Sequence, residues 1–464
     1  MTTATTESGG STRDNTRKGG RWIESWDPEN EQFWEATGKR VALRNLAFSI
    51  LSEHIGFSIW SLWSVMVLFM GPAYHVDPAG KFFLVGMPTL VGGILRVPYT
   101  FAVARFGGRN WTIISAALLL VPSVAAAFVM HPGTPYTTFM VVAALTGVGG
   151  GNFASSMTNI NSFYPLRKKG WALGLNAGGG NVGVAVIQLV ALLVIGTAGA
   201  MHPKIVLAVY IPLIVIAAVL AATFMDNLAP VRSDTGAAKE AARDVHTWIM
   251  SFLYIGTFGS FIGYSFAFGL VLQNQFHRTP LQAAALTFIG PLVGSLVRPV
   301  GGRLADRVGG AKVTLWTFLA MAAATLFVVV ASLQKSLPLF LVGFIALFAL
   351  SGLGNGSTYK MIPGIFQAKA VARGLDGEEA ATYGRRLSGA SMGLIGAVGA
   401  LGGLGINLVF RESFLTAKSG GPAFVAFLAY YALCSAVTWA VYLRTARAAA
   451  DAAGPQRQLT YAEV

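Results

Sequence analysis

Two stretches of the sequence share one pattern: LVGGILRVPYTFAVARFGG runs from Leu90 to Gly108, and LVGSLVRPVGGRLADRVGG runs from Leu292 to Gly310. Aligned without gaps, they match Arg96 with Arg298 and end on the same pair of glycines. Each arginine lies inside an apolar run, although a cation at the middle of a membrane costs about 3 kcal/mol or more. Such a repeat is typical of transporters, whose substrate site lies between the two repeats.

The apolar runs around these stretches predict an all-α polytopic membrane protein, because about 20 apolar residues span a bilayer. Of the 464 residues, 54% are hydrophobic and 12% are charged, about half the charged fraction of a soluble domain. A second repeated pair, GLNAGGGNVG from Gly174 and GLIGAVGALGG from Gly393, also lies six spans apart. We therefore expect two six-helix pseudo-repeats of the same topology. The twelve predicted spans are 45–70, 81–105, 110–130, 136–163, 170–197, 203–225, 246–272, 281–305, 312–333, 337–364, 386–410 and 421–444.

The basic residues predict the orientation of the chain in a cytoplasmic (inner) membrane. The formal net charge is +14, and 25 of the 34 Lys and Arg fall on the side of the N-terminal leader, while six fall on the other side. Cytoplasmic loops are rich in Lys and Arg, so both termini are expected in the cytoplasm. The predicted parts are a leader over 1–44, an N-terminal bundle over 45–225, a cytoplasmic linker over 226–245, a C-terminal bundle over 246–444 and a cytoplasmic tail over 445–464.

Several functional classes are disfavoured by the same composition. Long stretches contain no Lys or Arg, which argues against a nucleic-acid partner. The single cysteine, Cys434, excludes an internal disulfide and a cysteine-based metal cluster. The first apolar run begins near Leu43, which is too late for a conventional cleaved signal peptide. There is no HExxH motif and no Cys–His cluster, so we expect neither an enzyme nor a metal or cofactor.

Away from the ends of the predicted spans, the Asp, Glu, His, Lys and Arg residues that remain are Glu53, His54, Arg96, Arg298 and Lys360. The two arginines are repeat-equivalent, and no carboxylate is repeated to pair with each of them. They either bind backbone carbonyls or Glu53, or they face a shared anion. A guanidinium donates two parallel hydrogen bonds and keeps its charge, which suits a planar oxyanion.

Glycine-rich stretches in the fifth and eleventh spans allow close helix contact or a narrow site. Packing alone is the common use of such glycines, but the amide of Asn181 within the run requires a hydrogen-bond partner. Ala400 stands at the repeat-equivalent position, so we expect a one-sided amide contact with the anion. The glycines assigned to the cavity or to gating are Gly178, Gly179, Gly180, Gly183, Gly399, Gly402 and Gly403.

The loop that follows Arg298 resembles a motif of the major facilitator superfamily. GRLADRVGG, from Gly302 to Gly310, looks like the cytoplasmic loop motif of that superfamily, whereas the first copy, AVARFGGR, lacks the aspartate. In the family this motif is a gating element, which implies a structural gating role for Asp306 and Arg307. A gate favours a carrier over an anion channel, and the cytoplasmic extensions are too short for the output domain of a sensor.

Nearly the whole chain after the leader resembles the nitrate/nitrite porter family, the NarK-type transporters. Besides the glycine-rich stretches, the similarity includes WDPENEQFWEATGKRVALRNL (26–46), GGGNFASSMTNINSFYP (149–165), YIGTFGSFIGYSF (254–266) and GNGSTYKMIP (354–363). The resemblance implies a monomeric carrier in membrane lipid that takes up nitrate and exports nitrite by alternating access.

In that family two arginines bind the anion and an aromatic pair sandwiches it. The resemblance carries these roles to Arg96, Arg298, Phe153, Tyr254 and Phe258. Tyr264 and Phe268 have the same spacing as the last two, so the choice within the seventh span stays open.

Two alternatives remain at the sequence level. Two fixed cations favour obligate exchange of nitrate for nitrite, because the empty site is unfavourable. A nitrate/proton symporter would instead use Glu53 and His54, unless these lie shallowly at the cytoplasmic mouth or neutralise a cation. Lys360 either lines the cavity or extends to the cytoplasmic edge.

Overall fold

A computed structural model of the protein describes residues 17–18, 21–229, 231 and 234–444. These residues form twelve helices that are long and apolar enough to span a membrane, which confirms the predicted number. The predicted tail over 445–464 and parts of the leader and linker lie outside the described residues. The helices are α1 (Glu31–Phe69), α2 (Pro78–Phe106), α3 (Gly108–Val129), α4 (Tyr136–Phe163), α5 (Arg167–Ala198), α6 (Lys204–Phe224), α7 (Val245–Phe276), α8 (Pro280–Val308), α9 (Gly310–Leu333), α10 (Leu337–Ala372), α11 (Gly377–Ala417) and α12 (Gly421–Arg444).

The two six-helix halves meet through helices that carry the repeated motifs. Within the first half, α1 packs on α5 and α2 packs on α4; within the second half, α8 and α9 both pack on α10. Between the halves, α2 packs on α11 and α5 packs on α8. The repeat therefore places one arginine helix from each half against a glycine-rich helix of the other half.

On the side opposite the linker, aromatic side chains close the interface between the halves. Phe82 of α2 stacks on Phe410 and Phe414 of α11, with ring centroids 5.6 and 5.1 Å apart. All three rings are at most 5% exposed. The path between the halves is therefore shut at this end, and the cavity described below opens toward the linker.

The first helix begins at Glu31 rather than near residue 45, so the last part of the predicted leader is helical. Strand β1 (Arg17–Lys18) pairs antiparallel with β2 (Trp22–Ile23), which pairs in parallel with β3 (Asn227–Leu228) of the linker. This sheet was not predicted from the sequence. Because β3 follows α6 directly, the sheet ties the leader to the end of the first half.

Asp226, which precedes β3, joins three parts of the chain and is fully buried. Its carboxylate accepts hydrogen bonds from Arg21 at 3.2 Å, Arg44 at 2.5 Å and the Asn45 amide at 3.0 Å. Its backbone N–H donates to the Asn45 side chain at 2.8 Å. The charge is thus fully compensated where the leader, α1 and α6 meet.

The linker contains a short helix, Thr235–Arg243, that the sequence analysis did not resolve from the polar stretch. Asp234 caps its first turn and pairs with Arg386 of α11, whose guanidinium holds the pKa of the aspartate below its ordinary value. Glu240 pairs with Arg373, and Asp244 pairs with Lys369. Three acid–base pairs therefore fasten the linker to the ends of α10 and α11.

We expect Asp226→Asn to lower the free energy of unfolding by about 1–3 kcal/mol, because two arginines that are one-third exposed lose their charged acceptor. Thermal unfolding of the purified protein in detergent measures this as a lower Tm. Lys39→Gln is the matched control: its partner Glu35 is half exposed, and exposed pairs contribute about 0–1 kcal/mol. Equal Tm values for the two variants would contradict a structural role for Asp226.

Candidate anion-binding site

The two repeated arginines are buried where the halves meet. Arg96 is 0% exposed and Arg298 is 6% exposed. Arg96 donates from Nε to the Gly150 carbonyl at 3.2 Å and from Nη1 to the Gly396 carbonyl at 2.7 Å. Arg298 donates from Nη2 to the Tyr254 hydroxyl at 3.3 Å. Backbone carbonyls thus satisfy part of Arg96, and no carboxylate forms an ion pair with either arginine among the described residues.

Each guanidinium keeps a buried nitrogen without a hydrogen-bond partner in the described residues. These atoms are Nη2 of Arg96 and Nη1 of Arg298. A buried charged donor without an acceptor is costly, typically by more than about 1–3 kcal/mol. An oxyanion between the halves would supply acceptors to both, so the arrangement has the chemistry of an anion site.

Aromatic rings surround the arginines. The Cζ atom of Arg96 lies 4.5 Å from the Phe153 ring and 4.8 Å from the Phe258 ring. The two rings are near parallel, with centroids 6.2 Å apart, and Arg298 approaches Phe153 at 6.0 Å. Tyr254 stacks on Phe258 at 5.2 Å. The structure therefore brings all five of the residues implied by the family resemblance into one site.

The second aromatic pair of α7 lies elsewhere. The Tyr264 hydroxyl contacts that of Tyr431, and Phe268 stacks on Phe344 with centroids 4.6 Å apart. Both residues belong to the packed interior of the second half. Geometry thus selects Tyr254 and Phe258 as the aromatic residues of α7 that border the arginines.

Tyr359 is a site residue that the sequence analysis missed. It lies 5.8 Å from Arg298 Cζ and 5.0 Å from the Tyr254 ring, and its hydroxyl donates to the Met392 carbonyl of α11. It occurs within the quoted segment GNGSTYKMIP, one residue before Lys360. In the sequence, its position directly before Lys360, a cation predicted inside a span, was the signal that could have indicated a site residue.

The local shape of α7 positions its aromatic side chains. One wide π-helical turn, Ile255–Gly259, follows Tyr254 and contains Phe258. Such turns are frequent at functional sites because they shift the register of the side chains that follow. A Cβ on Gly259 would lie 2.9 Å from the backbone of Gly402, so both glycines are needed for α7 and α11 to approach here.

The remaining glycines predicted to be functional divide by their surroundings. In α11, Gly399 packs on Tyr254 and Gly403 packs on Thr89. In α5, three glycines lie against α1, and a Cβ at any of them would clash: Gly179 contacts Ile50, Gly180 contacts Glu53, and Gly183 contacts the His54 carbonyl. Gly178 has no atom within 4 Å of its Cβ position.

Glu53 lies deep between helices rather than at the mouth. It is 1% exposed, its Oε2 accepts from the Asn176 amide at 2.7 Å, and its Oε1 has no partner in the described residues. It interacts electrostatically with Arg298 and Arg96 without a direct ion pair. The adjacent His54 instead pairs its Nδ1 with the Gly179 carbonyl at 3.1 Å. Asn176 is thus a second residue that the sequence analysis missed.

Asn181 is fully buried, and both polar atoms of its amide lack a partner within the described residues. It is not among the residues that line the central cavity. The expected contact between this amide and an anion therefore stays a prediction.

Lys360 contacts the loop motif for which a gating role is predicted, and it is not among the residues that line the cavity. Its Nζ lies 2.6 Å from Oδ1 of Asp306, and the two side chains are 55% and 51% exposed. Arg307 of the same motif is also exposed. Of the two alternatives for Lys360, a position at the linker-side edge is the one observed, because its long stem lets the ammonium leave the apolar region.

A cavity of about 520 Å³ connects Arg96 with the linker side. Its walls come from α2, α4, α10 and α11, and its outer end is bordered by Asp234 and Arg386. Within the described residues, no group of three or more His, Cys, Asp and Glu could hold a metal ion. The polar inner end, at Arg96 and Tyr359, is the part suited to a small anion.

Comparisons with known proteins agree with this architecture. A sequence profile of the Major Facilitator Superfamily matches residues 48–406. The nitrate/nitrite transporter NarU of Salmonella typhimurium is 37% identical, over 93% of this chain and 98% of that one. The probable nitrate/nitrite antiporter NarK2 of Thermus thermophilus is 35% identical, over 75% and 83%. A structure of the xylose transporter XylE from E. coli has the same fold, with a TM-score of 0.65 over 86% and 99% of the two chains at 13% identity.

We expect Gly180→Ala to destabilise the protein by about 1–3 kcal/mol, because its Cβ would lie 2.7 Å from Cγ and Cδ of buried Glu53. Gly178→Ala is the matched control two residues away, where the added methyl meets open space. Tm in detergent measures both. A Tm for Gly180→Ala equal to that of the control would show that Glu53 does not occupy this position.

Proposed function

The chain belongs to the nitrate/nitrite porter family of the Major Facilitator Superfamily, and from this premise we propose that it carries nitrate and nitrite across the cytoplasmic membrane by alternating access. It is a multi-pass membrane protein and a transporter rather than an enzyme. We propose further that it works as a monomer, with both termini and the linker in the cytoplasm. Protease cleavage of the linker in everted but not in right-side-out vesicles would support this orientation.

The observation that carries the proposal is the pair of buried guanidiniums with unpartnered nitrogens beside the Phe153 ring. Nitrate and nitrite are planar, monovalent and weakly basic, so they accept in-plane hydrogen bonds from a guanidinium edge. The flat space beside the Phe153 and Phe258 rings suits a planar ion better than a tetrahedral phosphate. The charge of the guanidiniums and the shape of the space beside the rings thus both favour a planar monovalent anion.

The closed aromatic contact opposite the linker and the cavity on the linker side describe one end state of the cycle. Reorientation has to open the contact of Phe82 with α11 and close the cavity, with α2 moving on α11 and α5 moving on α8. Two like charges repel strongly in a site of low dielectric, so the empty site resists this movement. A bound anion offsets the repulsion, which favours exchange of nitrate for nitrite.

We expect Arg96→Lys and Arg298→Lys each to lower nitrate uptake at least about 100-fold, because lysine keeps the charge but loses the paired donation. Uptake into nitrite-loaded proteoliposomes measures this. Arg411→Lys, near the far end of α11, is the matched control and keeps its uptake. Near-normal transport by either site variant would overturn the assignment of that arginine.

Proton symport is the second candidate, and the position of Glu53 favours it. A carboxylate within electrostatic range of both arginines could take up a proton when an anion binds, since the anion then replaces its charge. His54 does not contact this carboxylate and faces the backbone of α5. Symport would therefore use Glu53, with Asn176 as its hydrogen-bond donor.

One experiment separates the two modes. Under exchange, nitrate enters nitrite-loaded vesicles at least about tenfold faster than empty ones. The reason is that repulsion between the two arginines opposes reorientation of the carrier when no anion is bound. A pH gradient should then have no effect, and Glu53→Gln should still exchange. Rapid entry into empty vesicles that is driven by an inward proton gradient and lost in Glu53→Gln would contradict exchange and establish symport.

A further inference from the structure

Three glycines lie on the wall that α11 contributes to the cavity. Gly396, Gly393 and Gly389 follow one another at helical spacing and all line the cavity. A Cβ on Gly389 would meet nothing within 4 Å, and one on Gly393 would meet only Thr100, at 3.5 Å or more. At the inner end, the Gly396 carbonyl accepts from Arg96. Missing side chains thus create an open track along α11, which we call the glycine track.

At the outer end of the glycine track, the structure describes two arginines whose charges are compensated to different degrees. Arg385 and Arg386 both line the cavity there. Arg386 pairs with Asp234 and lies 3.8 Å from Glu240. Arg385 is exposed and donates to the Thr382 hydroxyl at 2.9 Å, and within the described part of the chain it forms no ion pair with a carboxylate. Its positive charge is therefore available to an anion.

We propose that Arg385 forms a second site for the transported oxyanion at the linker-side mouth, from which the anion moves along the glycine track to Arg96. This inference rests on the proposed function, because it takes the same ligand. Arg385 thus binds anions that enter from the linker side, and it also binds those that leave there.

The mouth site is separate from the central site. Gly396 follows Arg385 by eleven positions along α11, which corresponds to about 16 Å at the helical rise of about 1.5 Å per residue. Exposed charges are screened over about 8–10 Å at physiological salt. Arg385 therefore cannot support anion binding at Arg96 directly, and its loss should change capture from one side without changing the central steps.

The test is Arg385→Gln, assayed by nitrate/nitrite exchange in right-side-out and everted membrane vesicles, whose sidedness is scored by protease cleavage of the linker. A unit charge at contact distance in water is worth roughly a factor of five. We expect about a fivefold rise in KM for anion presented on the linker side, with kcat and the KM on the other side unchanged. The linker-side KM should also lose its dependence on ionic strength.

Arg411→Gln is the matched control, since it makes the same change near the other end of α11, and its linker-side KM should stay unchanged. An unchanged linker-side KM in Arg385→Gln would overturn the inference. So would an equal rise on both sides, which would place the effect in the central site or the fold. If the unmodified protein shows no nitrate exchange, the proposed function fails as well; failure of the Arg385 result alone leaves the proposed function standing.

Discussion

Two guanidinium groups buried in one place are the constraint on which the rest of the structure depends. Within the described residues, neither Arg96 nor Arg298 has a carboxylate in direct contact, and each retains a nitrogen without a hydrogen-bond partner. In a medium of low dielectric their repulsion is poorly screened, so the site is strained until an anion enters. The same repulsion couples anion binding to reorientation of the two halves, because reorientation costs less free energy when an anion occupies the site than when the site is empty.

The glycines and aromatic rings serve this constraint in different ways. Glycines that pack tightly, such as Gly180 against Glu53 and Gly402 against Gly259, bring backbone and side chains close to the arginines. Glycines that face open space, such as Gly389, leave room for an ion to pass. The rings beside Arg96 hold its guanidinium through cation–π contacts, and their flat faces match the shape of a small planar anion. Glycine therefore has two uses: it narrows the central site at some positions and leaves the cavity that leads to this site open at others.

The fold and the two arginines could be predicted because they follow from periodic apolar runs and from an ungapped repeat. The aromatic partners required the family resemblance, since single aromatic residues in apolar helices have no distinguishing pattern. Tyr359 and Asn176 were missed because their roles depend on which helices meet, and the π-helical turn after Tyr254 has no signature in the sequence. Lys360 was ambiguous for a similar reason: only the contact with Asp306 shows that it leaves the cavity.

The repeat is broken on the linker side, and the break distinguishes the two halves mechanically. In the second half the loop motif uses an exposed ion pair between Asp306 and Lys360, a kind of contact worth about 0–1 kcal/mol that can form and break easily. The first-half copy has no aspartate. The same half has instead a nearby junction at Asp226, which is buried and bonded to the leader. The parallel pairing of β2 and β3 lies beside it. Separating that junction would leave a buried carboxylate without its donors, at a much higher cost. On the linker side, the contacts that cost little free energy to break therefore lie in the second half, which also contributes the glycine track through α11. The first half keeps its linker-side contacts.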